Sequence, residues 1–143
     1  MSVVLDDHLL LAALSGRRPP QLDEAMTGEA VYTTGCWYYR LARAAAAGTG
    51  EGSLSGELAR LDPTARTRAA RSLERLPDVI GLINYRTVVP VMVALRVSRQ
   101  LNMLTAEALA VALITGSRLL VSVKSPLLRS GADDLEIPCT VLV

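Results

Sequence analysis

The segment SVVLDDHLLL, residues 2–11, decides the fold that the sequence predicts. Its apolar residues Val3 to Leu5 form an uninterrupted run, which is typical of a strand buried on both faces of a parallel sheet. The run stops at two carboxylates, Asp6 and Asp7, and residues 9–14 then favour a helix. Ligands of open α/β sheets bind outside the carboxyl ends of the strands. We therefore expect Asp6 and Asp7 to lie where such a fold places its chemistry.

The composition predicts one domain with an aliphatic core. The chain has 143 residues, of which 50% are hydrophobic and 3% aromatic, and this length is enough to bury a core. The net charge of +1 gives no sign of a nucleic-acid partner. Cys36 and Cys139 have no close Cys or His neighbour in sequence, which argues against a zinc site and a disulfide scaffold. We expect a cytoplasmic protein without a signal peptide or a membrane span.

Alternating patterns predict an α/β fold, a three-layer α/β/α sandwich with a mainly parallel central sheet. The predicted strands are residues 3–5, 30–34, 118–123 and 138–143. The predicted helices are residues 9–14, 35–47, a helix that starts at 54 or after 62–63, and residues 88–97, 106–115 and 125–134. Residues 48–53 are predicted to form a connector without phosphate-loop features, and residues 77–83 a short helical turn. Thr105 is the predicted N-cap of the late helix, and Asp7 or His8 that of the first.

Arginines on the predicted helices are candidate contacts for RNA or for a protein partner. Arg40 and Arg43 lie on one face of the helix over 35–47. A second row of arginines, between residues 66 and 75, is interpreted as a solvated face. The aromatic residues between positions 32 and 39 are interpreted as a core and dimer-interface cluster rather than as a platform for base stacking.

With its elements in this order, the chain resembles the PIN domain family. The likeness is carried by the opening strand with Asp6, by residues 31–34 and by the sequence LTAEALA at 104–110, followed by residues 118–138. PIN domains are small α/β nucleases that cut single-stranded RNA or flap structures with Mg²⁺ or Mn²⁺, and many are toxins of bacterial toxin–antitoxin pairs. The resemblance, to divergent actinobacterial members, implies a single PIN-like domain over residues 1–143.

The resemblance also implies a metal site of three or four carboxylates. Asp6 matches the family's first acid and Glu107 the acid of the late helix, so these two are the candidate catalytic residues. With Asp7 they are the candidate ligands of Mg²⁺ or Mn²⁺, hard cations that prefer oxygen donors. Metal-bound water would then supply the nucleophile.

Two of the family's acids have no counterpart here. The second acid falls near Tyr39 or Arg40, and the acid near the end of the late strand falls at Lys124, or at Ser122 in a shifted register. We expect Lys124 to modify the site by pairing with Asp6 and Glu107 in the place of a metal ion.

Simpler interpretations exist for the same residues. Asp6 could cap the first helix, and Glu107 could be an acid that favours the first turn of the late helix. Lys124 could lie at the surface. His8, the sole histidine, is interpreted as a helix-start residue because the sequence shows no Ser or Cys partner for it.

Three functions remain open at this point. The first is a binding or regulatory PIN-like domain with a degenerate acidic site, and the second is an active Mg²⁺- or Mn²⁺-dependent ribonuclease toxin using Asp6, Asp7 and Glu107. The third is a receiver-like signalling domain, because residues 3–8 and Lys124 resemble its acidic start and its late lysine. The expected partners are RNA, an antitoxin or another protein, and a second copy of the chain in a homodimer.

Overall fold

A parallel five-stranded sheet with helices on both faces is seen in the computed structural model, which describes residues 1–48 and 52–142. The strands are β1 (Ser2–Leu5), β2 (Ala30–Tyr32), β3 (Ile80–Gly81), β4 (Arg118–Val121) and β5 (Cys139–Val141). The helices are α1 (Asp7–Ser15), α2 (Pro20–Met26), α3 (Gly35–Ala47), α4 (Ser53–Arg60), α5 (Pro63–Glu74), α6 (Tyr85–Ser98), α7 (Met103–Thr115) and α8 (Pro126–Asp134). The strand order is β3-β2-β1-β4-β5, and every pairing is parallel.

The side chains of β1 alternate between two apolar layers. Val4 packs with residues of α6, α7 and α8 on one face. Val3 and Leu5 pack on the other face with Leu9 of α1 and Leu22 of α2. Both faces of the central strand are therefore covered, which is why β1 is a continuous apolar run rather than an alternating one. The predicted three-layer architecture is confirmed.

The order of the strands places β1 at the centre, with β2 on one side and β4 on the other. The chain therefore leaves β1 in one direction first and returns to pair on the opposite side later. A reversal of this kind is the usual position of a ligand site in open α/β sheets. The residues that follow β1, β2 and β4 meet at this edge of the sheet.

Several predicted boundaries are wrong. Residues 77–83, predicted as a helical turn, contain β3, which pairs with β2 at the edge of the sheet. Helix α6 begins at Tyr85, so Pro90 stands at its sixth position rather than in its first turn. Helix α7 begins at Met103 behind an Asn102 N-cap, not behind Thr105. The sequence predicts two alternative starts for the middle helix, and a helix forms at each of them: α4 begins at Ser53 and α5 at Pro63.

Other local predictions are confirmed. The Asp62 carboxylate caps α5, which starts at Pro63. Gly116 ends α7 with a φ of 65°, a backbone conformation that glycine adopts at no steric cost. The predicted connector over 48–53 lies partly outside the described residues, as does the end of the last predicted strand. Within the described part of the chain, none of the helices has both the length and the apolar character needed to cross a membrane.

Candidate functional site

Asp6 stands directly after β1 and joins three elements at the carboxyl edge of the sheet. Its Oδ1 accepts a hydrogen bond from the backbone N–H of Leu9 at 2.9 Å, which caps α1. Its Oδ2 accepts from both the N–H and the hydroxyl of Ser122, each at 2.7 Å. The residue is 3% exposed. The carboxylate thus ties the start of α1 to the end of β4.

Asp7 is the first residue of α1, so the chain has already turned out of the strand at this point. Its Oδ1 accepts from the His8 N–H at 2.9 Å. Its Oδ2 is buried and lies 3.4 Å from the Arg40 Nε, an ion-pair contact that lacks hydrogen-bond geometry. Burial raises the pKa of Asp7, the Asp6 charge raises it further, and Arg40 opposes both.

Glu107 is 1% exposed and binds the N-terminus of a different helix. Its Oε1 accepts from the Cys36 N–H at 2.7 Å, and its Oε2 from the Gly35 N–H at 3.2 Å. These N–H groups belong to the first turn of α3, where backbone donors lack intrahelical partners and negative charge is favourable. The expectation that Glu107 occupies the first turn of its own helix is wrong, because α7 starts four residues earlier, at Met103.

Tyr85 completes the surroundings of Glu107 and was not singled out from the sequence. Its hydroxyl lies beside the Glu107 carboxylate at Gly35, and burial followed by the Glu107 charge raises the pKa of Tyr85 to about 12. Burial, and then Glu107, also raises the pKa of the Cys36 thiol to about 11. A Cβ at Gly35 would stand 2.5 Å from the Tyr85 Oη and 3.2 Å from the Glu107 Oε2. Because glycine has no Cβ, position 35 can lie directly against the Tyr85 hydroxyl and the Glu107 carboxylate.

Lys124 does not reach the acids. It is exposed and lines a cavity of about 250 Å³ with Arg129 and Cys139, and no ion pair among the described residues involves it. The predicted ion cluster of Lys124 with Asp6 and Glu107 is therefore wrong. Ser122, the alternative match in the shifted register, is the residue that contacts Asp6. Strand β4 stops at Val121, three residues before Lys124.

The residues predicted to contact RNA or a protein partner lie at the surface. Arg40 and Arg43 are both exposed, and Arg40 also faces Asp7 from α3. Tyr39, one of the two positions that match the family's second acid, is 65% exposed. The arginine row of α5 is exposed, which agrees with its interpretation as a solvated face.

The residues present do not fit a metal centre of three carboxylates. Over residues 1–48 and 52–142, no three side chains of the His, Cys, Asp and Glu types are grouped so that they could hold an ion. Both oxygens of Asp6 and both of Glu107 already accept N–H or O–H donors of the chain. A cation would compete with these donors for the same oxygens, and the Arg40 guanidinium would repel it at Asp7.

Comparison with known proteins agrees with this fold. The chain is similar to a solved structure described as VapBC-1 from nontypeable Haemophilus influenzae, with a TM-score of 0.59 and 12% sequence identity. The alignment covers 99% of this chain and 98% of that chain. At this identity the likeness establishes the fold alone. No family model matches the chain, and no curated protein does.

Proposed function

We propose that residues 1–143 form a single PIN-like domain whose acidic site has become structural, so that the protein acts by binding or regulation rather than by cutting RNA. The observation that carries this proposal is that the oxygens of two acids already accept hydrogen bonds. The carboxylates of Asp6 and Glu107 each hold hydrogen-bond donors of their own chain. A carboxylate that accepts backbone N–H groups gains charge-assisted bonds of about 1.5–3 kcal/mol each. These bonds stabilise the acidic edge without a metal ion.

The charge balance at the edge supports the same proposal. In a metal site, neighbouring carboxylates repel one another until a cation neutralises them. Here the Arg40 guanidinium lies 3.4 Å from Asp7, and the N-terminus of α3 faces Glu107. Positive groups of the protein thus take over the neutralising role that Mg²⁺ or Mn²⁺ has in the family that the sequence resembles.

The proposed partners are a protein of the antitoxin kind and a second copy of this chain, in the cytoplasm. Toxin–antitoxin pairing is a property of many PIN domains, and the similar solved structure is described as VapBC-1. Four exposed residues of α6 follow one another at intervals of four, Tyr85, Val89, Val93 and Val97. This spacing puts them on one face of the helix, an apolar row suited to pairing with another helix. Arg43, exposed on α3, is the proposed RNA contact.

The test of the proposed function is a titration with Mn²⁺ followed by an RNA cleavage assay. Isothermal calorimetry of the wild-type protein is expected to show no specific Mn²⁺ binding, and single-stranded RNA is expected to stay intact with Mn²⁺ or Mg²⁺. The matched variants are Glu107→Gln and Glu24→Gln, since Glu24 is exposed and far from the acids in sequence. Metal-dependent cleavage that is lost in Glu107→Gln and kept in Glu24→Gln would refute the proposal.

One observation favours the second candidate, an active ribonuclease toxin. The Oδ2 of Asp7 is buried and accepts no hydrogen bond from the described residues, unlike the carboxylate oxygens of Asp6 and Glu107, so a new ligand here would displace only the Arg40 ion pair. In that case Asp6, Asp7 and Glu107 would hold Mg²⁺ or Mn²⁺. The same titration decides between the two candidates.

A further inference from the structure

His8, which the sequence leaves without a partner, lies between two side chains of α4. The Oε2 of Glu57 is 2.9 Å from the His8 Nδ1. The Oγ of Ser53 is 3.3 Å from the His8 Nε2. Ser53 and Glu57 are four residues apart, so they lie on one face of the helix and hold the imidazole from both of its nitrogens. We propose that Ser53, His8 and Glu57 form a serine hydrolase triad that acts on carboxylic esters.

The roles of the three side chains follow from this geometry. Glu57 accepts a hydrogen bond from the Nδ1–H of His8, which leaves Nε2 as the hydrogen-bond acceptor that faces the Ser53 hydroxyl. This is the arrangement of a nucleophile, a general base and an orienting carboxylate, which is recognised by geometry rather than by the order of residues in the chain. Ser53 is exposed, as a nucleophile must be to meet its substrate, whereas the side chain of His8 is only 16% exposed.

The position of Ser53 also supplies groups that can stabilise negative charge. Ser53 is the first residue of α4, and the N-cap is Gly52, which has no side chain that could cap the helix. The backbone N–H groups of Leu54 and Ser55 in this first turn have no acceptor within the helix. Together with the helix dipole they can stabilise the oxyanion that forms when the hydroxyl adds to a carbonyl group.

A cavity lies beside His8 and Glu57 of the triad. It has a volume of about 520 Å³ and is lined by His8 and Glu57, by polar side chains that include Arg17 and Arg60, and by apolar side chains of α1 and α2 and of Leu61, which follows α4. The apolar part includes Leu9, Leu22 and Leu61. Binding sites for small molecules fall in this range of volume. This volume is sufficient for the acyl part of a small ester beside His8.

The reaction balances without any cofactor. The Ser53 Oγ forms a bond to the ester carbonyl carbon while its proton passes to the His8 Nε2. The bond from that carbon to the alcohol oxygen then breaks, and the Nε2 proton goes to the leaving alcohol. A water molecule then gives a proton to Nε2 while its oxygen bonds to the acyl carbon. The bond from that carbon to the Ser53 Oγ breaks, and the Nε2 proton passes to the Oγ, which releases the acid and restores the hydroxyl.

The experiment uses the full chain in EDTA, so that a metal-dependent reaction makes no contribution. An alkyl fluorophosphonate is the probe for the nucleophile. The Ser53 oxygen displaces fluoride from phosphorus, and peptide mass spectrometry identifies the modified serine. Hydrolysis of p-nitrophenyl butanoate measures turnover. The expected result is a single adduct at Ser53, with no adduct and no ester hydrolysis in Ser53→Ala.

Three variants separate a triad from an exposed serine. His8→Ala is expected to lower the rate of labelling by about 10²–10⁴-fold, the usual contribution of a general base. Glu57→Gln keeps the side-chain shape at a half-buried position and is expected to lower the rate as well, so it decides the test if His8→Ala does not fold. Ser130→Ala, at an exposed serine of α8, is the control and is expected to leave both rates unchanged.

The proposal is overturned by any of three results. The first is the absence of an adduct beyond that of the urea-unfolded protein, and the second is an adduct at another serine. The third is labelling of Ser53 at the same rate in folded Glu57→Gln as in the wild type. None of these results bears on the metal titration, so this proposal and the proposed function can fail separately.

Discussion

Replacement of Glu107 by Gln distinguishes a structural acid from a metal ligand by the sign of its effect on stability. Glu107 is buried and accepts the N–H groups of Gly35 and Cys36. A glutamine keeps one acceptor oxygen but places an NH₂ group against the other N–H. The variant therefore loses one charge-assisted hydrogen bond, of about 1.5–3 kcal/mol, and the interaction with the dipole of α3, of about 0.3–1 kcal/mol.

These terms give an expected loss of about 2–4 kcal/mol in the free energy of unfolding of Glu107→Gln. For a domain of this size, about 2–4 °C of melting temperature accompany each kcal/mol, so the midpoint is expected to fall by roughly 5–15 °C. The assay is urea unfolding followed by circular dichroism at pH 7, with no divalent metal present. Glu24→Gln is the matched control, for which an effect within about 0.5 kcal/mol is expected.

The opposite outcome is expected of an acid kept for metal binding. Such acids repel their neighbours in the empty site, so that their removal commonly stabilises the fold. A Glu107→Gln protein as stable as the wild type, or more stable, would show that the two N–H contacts contribute no net stability. The central argument for a structural role of the acidic edge would then be refuted.

Three further predictions test the same region. Burial raises the pKa of Asp7 above its ordinary value of 3.8, so the folded state holds this proton more tightly than the unfolded state. The contribution of Asp7 to stability therefore falls as the pH rises from 4 through the raised pKa. Asp7→Asn should flatten this part of a pH series of urea midpoints, and an unchanged slope would contradict the assignment. Gly35→Ala is expected to destabilise the fold by about 1–3 kcal/mol through overpacking against the Tyr85 hydroxyl, and Tyr85→Phe should recover part of that loss in a double-mutant cycle, whereas simple additivity would show that the two residues do not interact. With its pKa raised to about 11, the Cys36 thiol should react with iodoacetamide at pH 8 far more slowly in the folded protein than in urea, and equal rates would argue against the Glu107 contact.

The class of fold could be predicted because each signal for it is local. The apolar run before Asp6, the Asp62-Pro63 cap and the glycine at 116 depend only on neighbouring residues, and all three have the predicted structure. Strand β3 could not be predicted, because two residues carry no periodic pattern. It exists because Ile80 and Gly81 pair with the edge of β2, a contact between segments far apart in the chain.

The sequence by itself determined that Asp6 lies at the carboxyl end of a central strand and that Glu107 belongs to the late helix. What these acids touch was decided only by the tertiary structure. Asp6 meets Ser122 rather than Lys124, since β4 ends at Val121 and the lysine lies beyond the edge. His8 meets Ser53 and Glu57 across 45 and 49 residues of chain. Hydrogen bonds act over about 3 Å in space and are indifferent to separation in sequence, so the packing of the helices onto the sheet selects these partners.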